Sequence, residues 1–420
     1  MKARFTPALF AHAEAALGLL LRFEHPADAV VSRYFREHRE LGHADRAFVA
    51  ETLFAVLRRG RSLEARCAGR LSDRNRLLVA LAVTRGWSQR ELAPVLKASE
   101  AQWLAAAKAM TDADWPPAVR CDLPDWLYQR LAAQFGAAEA PALAAALNQP
   151  APLDLRVNSL KTGRDELLAR LAADGIAAQP GALSPLCVRL QGKPALARHP
   201  LFLDGAFEVQ DEGSQLLGYL LDPRRGEMVV DFCAGAGGKT LMLGALMRNT
   251  GRLHALDVSD RRLASLKSRL ARSGLSNVHP VRIEHERDAK LKRLAGKADR
   301  VLVDAPCSGL GTLRRNPDLK WRQSEAAVAE LAQKQAAILA AAARLVRPGG
   351  RLVYATCSLL GEENEAVADG FLAAHADFAP LAADGILARH GIRLAGGLLR
   401  LLPHRHPTDG FFAAVFERQP

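Results

Sequence analysis

The chain has 420 residues, 49% of them hydrophobic and 24% charged, with a formal net charge of +12. That length carries a soft expectation of roughly three domains with sizeable cores and excludes a low-complexity chain, while the positive balance favours a polyanionic partner over an acidic small molecule. There is no apolar run long enough to span a bilayer, and the segment after Lys2 and Arg4 is interrupted by His12 and Glu14 without a cleavage site, so neither a membrane anchor nor a leader is expected.

The six cysteines (Cys67, Cys121, Cys187, Cys233, Cys307 and Cys357) are scattered and form no C-x-x-C pair. This argues against a disulfide framework or a zinc module and fits a reducing cytoplasm. His404 and His406 flank Arg405 but are too few to hold a metal, so no metal site is expected.

From the start to about residue 110 the pattern is helical. Apolar positions recur at three and four, as in Val49, Leu53, Val56 and Leu57, with Arg58, Arg59 and Arg61 just beyond. Those arginines are candidates for RNA phosphates or, equally, for a solvated surface. Near Thr111 the prolines and aspartates of TDADWPPAVRCDLPDW mark a boundary, followed by two helical pieces. The stretch DLRVNSL (154–160) alternates like a strand, a helix follows, and short strands run to AFEVQD, ending at Asp211. Arg156, Asn158 and Lys161 at that first strand read either as RNA contacts or as a strand end. The domains expected are therefore 1–120, helical; 121–213, linker helices with a small α/β unit; and 214–420.

The last segment is organised around VVDFCAGAGGKT (229–240). A strand, a turn with Gly235, Gly237 and Gly238, and a helix from Leu241 would present backbone N–H groups at the carboxyl edge of a parallel sheet. A P-loop needs glycine where Cys233 stands, and the dinucleotide fingerprint fails at Thr240. S-adenosylmethionine (SAM) is the third candidate ligand. Asp257, closing the next strand twenty residues after Gly237, has the spacing of a ribose-binding carboxylate. A helix to Gly274 and NVHPVRI come next, with Asp288 shortly after. RVLVDAPCSG (300–309), a long alanine-rich helix, RLVYATCS (351–358) and DGFFAAVFER (409–418) complete the alternation. Strands alternating with helices predict an α/β, Rossmann-like parallel sheet covered on both faces. Between Arg261 and Arg300 twelve Lys/Arg stand against four Asp/Glu, a local basic surface.

Cys307 and Cys357 both fall at strand carboxyl ends, where such enzymes place their chemistry. If those strands are neighbours, two thiols converge beside Asp304. Cysteines at such positions can also simply pack, but two of them in polar, small-residue exits beside a carboxylate favour chemistry. A thiol is needed where a methyl group goes to carbon 5 of a pyrimidine: a thiolate adding to carbon 6 makes carbon 5 nucleophilic. An adenine amino methyltransferase would instead carry [DN]-P-P-[YFW] where this chain has Asp304-Ala305-Pro306-Cys307.

The motifs CAGAGGKT, VLVDAPCSG, YATCS, RRNPDLKW (314–321) and PHRHPTDGFF (403–412) resemble those of the Nop/Sun family of RNA cytosine-5 methyltransferases, the bacterial RsmB (Fmu/Sun) type in particular. DRAFVAETLFAVLRR (45–59) is similar to that group's NusB-like helical domain, and LRVNSLK (155–161) to its small RRM-like domain. The resemblance implies a class I SAM-dependent methyltransferase domain acting on RNA, 16S ribosomal RNA before transfer RNA. It implies Cys357 as nucleophile, Cys307 as the residue assisting release and Asp304 at the cytosine ring. It also implies that Cys233, Ala234, Gly235, Ala236, Gly237, Gly238, Lys239, Asp257, Asp288 and Asp304 surround SAM, with Asp288 at the adenine end. Ala236 stands where many members carry proline. A monomer without metal, which flips its target base into a pocket between the catalytic and RRM-like domains, completes the expectation.

Overall fold

The structure, a computed structural model, describes residues 5–420; Lys2 and Arg4 lie outside the described residues. Two compact units form, one of Met1–Pro150 with Thr312–Ser324, the other of Ala151–Gly311 with Glu325–Pro420. No described helix is long and apolar enough to cross a membrane.

The first unit is all helical. Its helices start where the sequence supplies caps: Thr6 Oγ1 accepts the Leu9 N–H ahead of Pro7–Leu20, Ser72 Oγ that of Asn75 ahead of Asp73–Val83, and Ser88 forms a capping box with Glu91. The apolar stripe of His43–Arg58 (Val49, Leu53, Val56, Leu57) is buried in the core with Leu17, Leu77 and Leu78. Arg59 and Arg61 pair with Asp122 and Asp125, and Arg58 donates to the Arg314 carbonyl, so these arginines stitch the unit together. Residues 312–324 are an excursion into this unit. There Trp321 Nε1 donates to the Leu57 carbonyl, and fully buried Lys320 donates to Arg58 O (2.9 Å) and Asn148 Oδ1 (2.8 Å).

The second unit carries two sheets. Strands β1 (Leu153–Val157), β2 (Ala178–Pro180), β3 (Cys187–Leu190) and β4 (Phe207–Val209) pair antiparallel in the order β2-β3-β1-β4, with Arg164–Ala173 after β1 and Pro200–Leu203 before β4. This βαββαβ order is the ferredoxin-like, RRM-like arrangement. The large sheet contains β5 (Met228–Asp231), β6 (Arg252–Asp257), β7 (Val278–Arg282), β8 (Ala298–Asp304), β9 (Val346–Thr356), β10 (Phe378–Leu381) and β12 (Phe411–Arg418) in the order β10-β12-β9-β8-β5-β6-β7. A short β11 (Leu399–Leu401) pairs with β12, which runs antiparallel to β9, β10 and β11.

The strands' period of two sorts side chains onto the two faces. Val229, Leu302, Val353 and Ala355 join one core; Val230, Val301, Val303, Leu352 and Tyr354 join the other. Helices cover both faces, as near-continuous apolar strands require. Because β5 lies between β6 and β8, the chain winds outward in both directions from it. The carboxyl ends of β5 and β8 therefore flank a topological switch point, where ligands bind in such sheets.

Candidate active site

The glycine turn leaves β5 at Asp231. Gly235 (φ +56°) and Gly237 (φ +85°) adopt left-handed backbone, and Gly237 leads directly into the helix Gly238–Leu246. A Cβ on Gly237 would lie 2.1 Å from Leu266 Cδ1, so only glycine lets the turn sit against the Asp260–Ser273 helix. The first N–H groups of Gly238–Leu246 have no intrahelical acceptor and carry the positive end of the helix dipole.

Asp257 closes β6 beside this turn. Its Oδ2 accepts the Gly235 N–H (2.8 Å) and its Oδ1 the Ser259 N–H (2.7 Å). A carboxylate has about four acceptor positions, so two remain for ribose hydroxyls. Asp288, after β7, caps the 3₁₀ turn Ala289–Leu294, accepting the N–H groups of Glu284 and Lys290, which lower its pKa. No hydrogen bond joins Asp288 to the glycine turn or the cysteines among the described residues.

The turn's outward carbonyls are held by arginines. Arg156 of β1 donates to the Gly238 carbonyl (2.5 Å) and to Gln210, and Arg269 to the Ala236 carbonyl (2.7 Å) while also pairing with Glu208 of β4. Asn158 donates to the Gly205 and Ser273 carbonyls. Of the RNA-reading candidates on this strand, Arg156 and Asn158 are thus buried against the large-sheet layer. Strand alternation shows which residues share a face, not what covers that face. Lys161 is tied to Asp204.

Strands β8 and β9 are adjacent and parallel with Asp304 opposite Ala355, so Cys307 and Cys357 leave the sheet side by side, their sulfurs 3.3 Å apart. The contact with Cys357 and then burial push the Cys307 thiol well above its ordinary value, and either sulfur can be the donor of the contact. Gly311 pins this exit: its N–H donates to the Cys357 carbonyl (2.8 Å), and a Cβ there would lie 2.3 Å from the Gly410 carbonyl. At Gly410, the glycine of the 403–412 motif, a Cβ would in turn lie 2.8 Å from Gly311 Cα, so both sides of this contact need glycine.

Lys239, read from the sequence as a cofactor-loop residue, reaches across to Asp304, Nζ to Oδ2 2.6 Å. Burial depresses its ammonium, but Asp304 and then Cys357 more than offset this, leaving the pKa raised and the charge in place. Lys239, Asp304 and the two sulfurs therefore form one cluster.

Two further residues of the site are given no role by the sequence reading. Asp231 is fully buried, accepts Thr240 Oγ1 at 2.7 Å through Oδ2, and has no partner on Oδ1 among the described residues. Burial raises its pKa to about 7. The folded state thus binds a proton that the unfolded chain releases near pH 4, and Asp231's contribution to stability falls as pH rises from about 4 to about 7. In Asp231→Asn this part of the pH dependence, with a slope approaching ~1.4 kcal/mol per pH unit, is expected to vanish in denaturant titrations at pH 5 and 7.5. Glu363 is the other: it is fully buried beneath the two cysteines and hydrogen-bonded to Ser308 and Ser358.

The site's residues fit SAM. A glycine-lined turn, a ribose-type carboxylate with spare acceptor positions, free helix N–H groups and the unpartnered Asp231 Oδ1 together offer partners for the ligand's hydroxyls, carboxylate and ammonium. The family described as 16S rRNA methyltransferase RsmB/F matches residues 218–417, and its ferredoxin-like domain matches residues 123–197. The probable ribosomal RNA small subunit methyltransferase B of Synechocystis is 40% identical over 70% of this chain and 66% of its own length. Its counterpart in Bacillus subtilis is 35% identical over 77% of this chain and 73% of its own. The match thus spans about two thirds to three quarters of these relatives. A crystal structure of a methyltransferase homologue from Pyrococcus horikoshii superposes with a TM-score of 0.62 at 30% identity, covering 74% of this chain and all of that one. The two-winged sheet, the glycine turn and these relatives agree, and the chain belongs to the RsmB/F family of 16S rRNA methyltransferases.

Proposed function

We propose that this protein methylates carbon 5 of a cytosine in 16S ribosomal RNA, using SAM, through a covalent bond between Cys357 and the base. The observation that carries this reading is the pair of sulfurs 3.3 Å apart beside the Lys239–Asp304 pair. SAM would supply an electrophilic methyl group; the turn from Cys233 to Lys239 and Asp257 would hold it, with Asp288 toward its adenine end.

The Lys239 ammonium, which interacts with Cys357, supplies positive charge where the attacking sulfur carries its negative charge. That sulfur bonds to carbon 6, and the displaced π electrons make carbon 5 the nucleophile. The Lys239–Asp304 pair offers both a donor and an acceptor to the ring's nitrogen edge, orienting the base and stabilising the charge that develops. After methylation a water molecule takes the carbon 5 proton, the C–H electron pair re-forms the 5,6 double bond, and Cys357 departs as thiolate. The Cys307 S–H, in contact with that sulfur, stabilises the departing thiolate. A stacked cytosine exposes neither face to this chemistry, so the base must flip out of its stack.

The test is to supply methyl-labelled SAM with unmodified 16S rRNA or with transfer RNA and to score 5-methylcytosine by nucleoside mass spectrometry. Label in 16S rRNA supports the reading. Label confined to transfer RNA moves the substrate while keeping the chemistry, and label on another atom overturns the mechanism.

The basic surface makes a separate prediction. Arg261, Arg262 and Lys267 are exposed on the Asp260–Ser273 helix, and Lys292 and Arg293 are exposed farther along. If all five meet phosphates, log affinity should fall against log salt with a slope of about −3.5 to −4.5. Arg261→Ala with Arg262→Ala should flatten that slope by about 1.5. A filter-binding series from low to physiological salt measures both, and an unchanged slope removes this helix from the RNA footprint.

A further inference from the structure

Directly behind the two cysteine-bearing exits lies a polar cluster that the reaction as described does not use. Ser308 and Ser358 each follow one of the cysteines in sequence, and both side chains are buried. Both hydroxyls donate to the same atom, Glu363 Oε2, Ser308 at 2.5 Å, and the two hydroxyl oxygens lie 3.2 Å from each other. Glu363 Oε1 accepts the Ser308 N–H (2.8 Å) and Gln335 Nε2 (2.9 Å), and the same Gln335 amide donates to the Pro306 carbonyl, one residue before Cys307. The Tyr354 hydroxyl donates to the Glu363 carbonyl (2.5 Å) and to Gln335 Oε1 (3.1 Å). Asn364, next in the chain, accepts Thr356 Oγ1 (2.5 Å) and donates to the Ser358 carbonyl, bracing Cys357 from both sides.

We infer that Glu363 is the positioning residue of the cysteine pair: one buried carboxylate clamps both exits and thereby decides which sulfur is the nucleophile. Resting on the function proposed above, this deepens it by naming what makes two adjacent thiols unequal.

Two properties of Glu363 support this role. The first is geometric. The exits belong to different strands, fifty residues apart in sequence, and a sulfur–sulfur contact needs both held in one register. A carboxylate accepting a hydroxyl from each exit does this with bonds stronger than neutral ones, and burial keeps water from competing. The second is electrostatic. A buried carboxylate answered by four donors, with no cationic partner among the described residues, sets a negative charge against Cys307 and disfavours a second anion there. With a second anion disfavoured on Cys307, Cys357, the sulfur that interacts with the Lys239 ammonium, is the one left to act as nucleophile. A plain packing role for Glu363 predicts neither asymmetry.

Glu363→Gln separates the two parts. The amide keeps the reach and shape of the carboxylate but loses the charge. The readout is competitive alkylation of the free enzyme with limiting iodoacetamide at pH 8, with the Cys307 and Cys357 peptides quantified by mass spectrometry. In the wild type Cys357 is expected to label at least ~10-fold faster. In Glu363→Gln the ratio is expected to fall toward one, and kcat on RNA to fall about 10- to 100-fold at unchanged KM. A wild-type labelling ratio in folded Glu363→Gln overturns the inference. Should that variant not unfold cooperatively, Ser358→Ala removes a single donor; its ratio is expected to drop at least ~3-fold, and an unchanged ratio again overturns it. Alkylation needs no RNA, so it stands or falls apart from the proposed function, which wild-type 5-methylcytosine formation tests separately.

Discussion

Replacing Cys307 by alanine is expected to turn the enzyme into a trap for its own RNA. With Cys357 intact the attack on carbon 6 and the methylation of carbon 5 proceed. Without the S–H that contacts the departing sulfur at 3.3 Å, elimination slows, and a protein–RNA adduct survives denaturing electrophoresis. Cys357→Ala is expected to form neither adduct nor 5-methylcytosine, a loss of at least ~10³-fold, because carbon 5 has no other route to nucleophilicity. The two variants should be equally well folded, since both positions are only partly buried and lose a small side chain. An adduct that requires Cys307 and persists in Cys357→Ala would exchange the two roles. Normal methylation by both variants would make the sulfurs structural.

Breaking the Lys239–Asp304 pair is the second large effect. Lys239→Met and Asp304→Asn are each expected to lower kcat by about 10²- to 10⁴-fold, the range lost when a positioned polar group is removed from a developing charge. Lys239→Met also leaves a carboxylate without its cation. Because Asp304 is 28% exposed, solvent screens much of that, and a stability loss of about 1–2 kcal/mol is expected. Labelled-SAM turnover measured beside thermal unfolding separates the two effects. In the double variant the loss should be well short of the sum, as for residues acting as a unit. Turnover near the wild-type rate in folded Asp304→Asn would remove this carboxylate from the site.

Much of this was legible in the residues. The strands of the large sheet are short apolar runs ended by acids, glycines or cysteines, and the intervening helices repeat at three and four. These are local signals, and they suffice to place β5, β6, β8 and β9 and the Gly235–Gly238 turn without any long-range contact. That Cys307 and Cys357 fall at strand ends was equally plain. That they touch depended on β8 and β9 being neighbours, a matter of sheet order.

Less was legible where a residue's meaning depends on what covers it. Arg156 looks the same in sequence whether it faces RNA or the Gly238 carbonyl; the small sheet packs on the large-sheet layer, and the arginine is buried there. Lys239 belongs by sequence to the cofactor turn, but its four-carbon stem carries the ammonium to Asp304, 65 residues away. Glu363 sits in Gly361-Glu362-Glu363-Asn364, where two adjacent acids look alike, and only burial among four donors sets it apart.

By itself, then, the sequence determined the α/β alternation, the glycine turn that only residues tolerant of positive φ can make, and the chemical types gathered at the strand ends. These follow from backbone sterics and local periodicity, which act over a few residues. The tertiary structure alone decided that two sulfurs share one contact, that Lys239 answers Asp304, and that one buried carboxylate holds both exits. Cys307 and Cys357, Lys239 and Asp304, and Glu363 and Ser308 are each fifty or more residues apart, and these pairings exist only once strand order and burial bring them together and exclude the water that would otherwise satisfy each group alone.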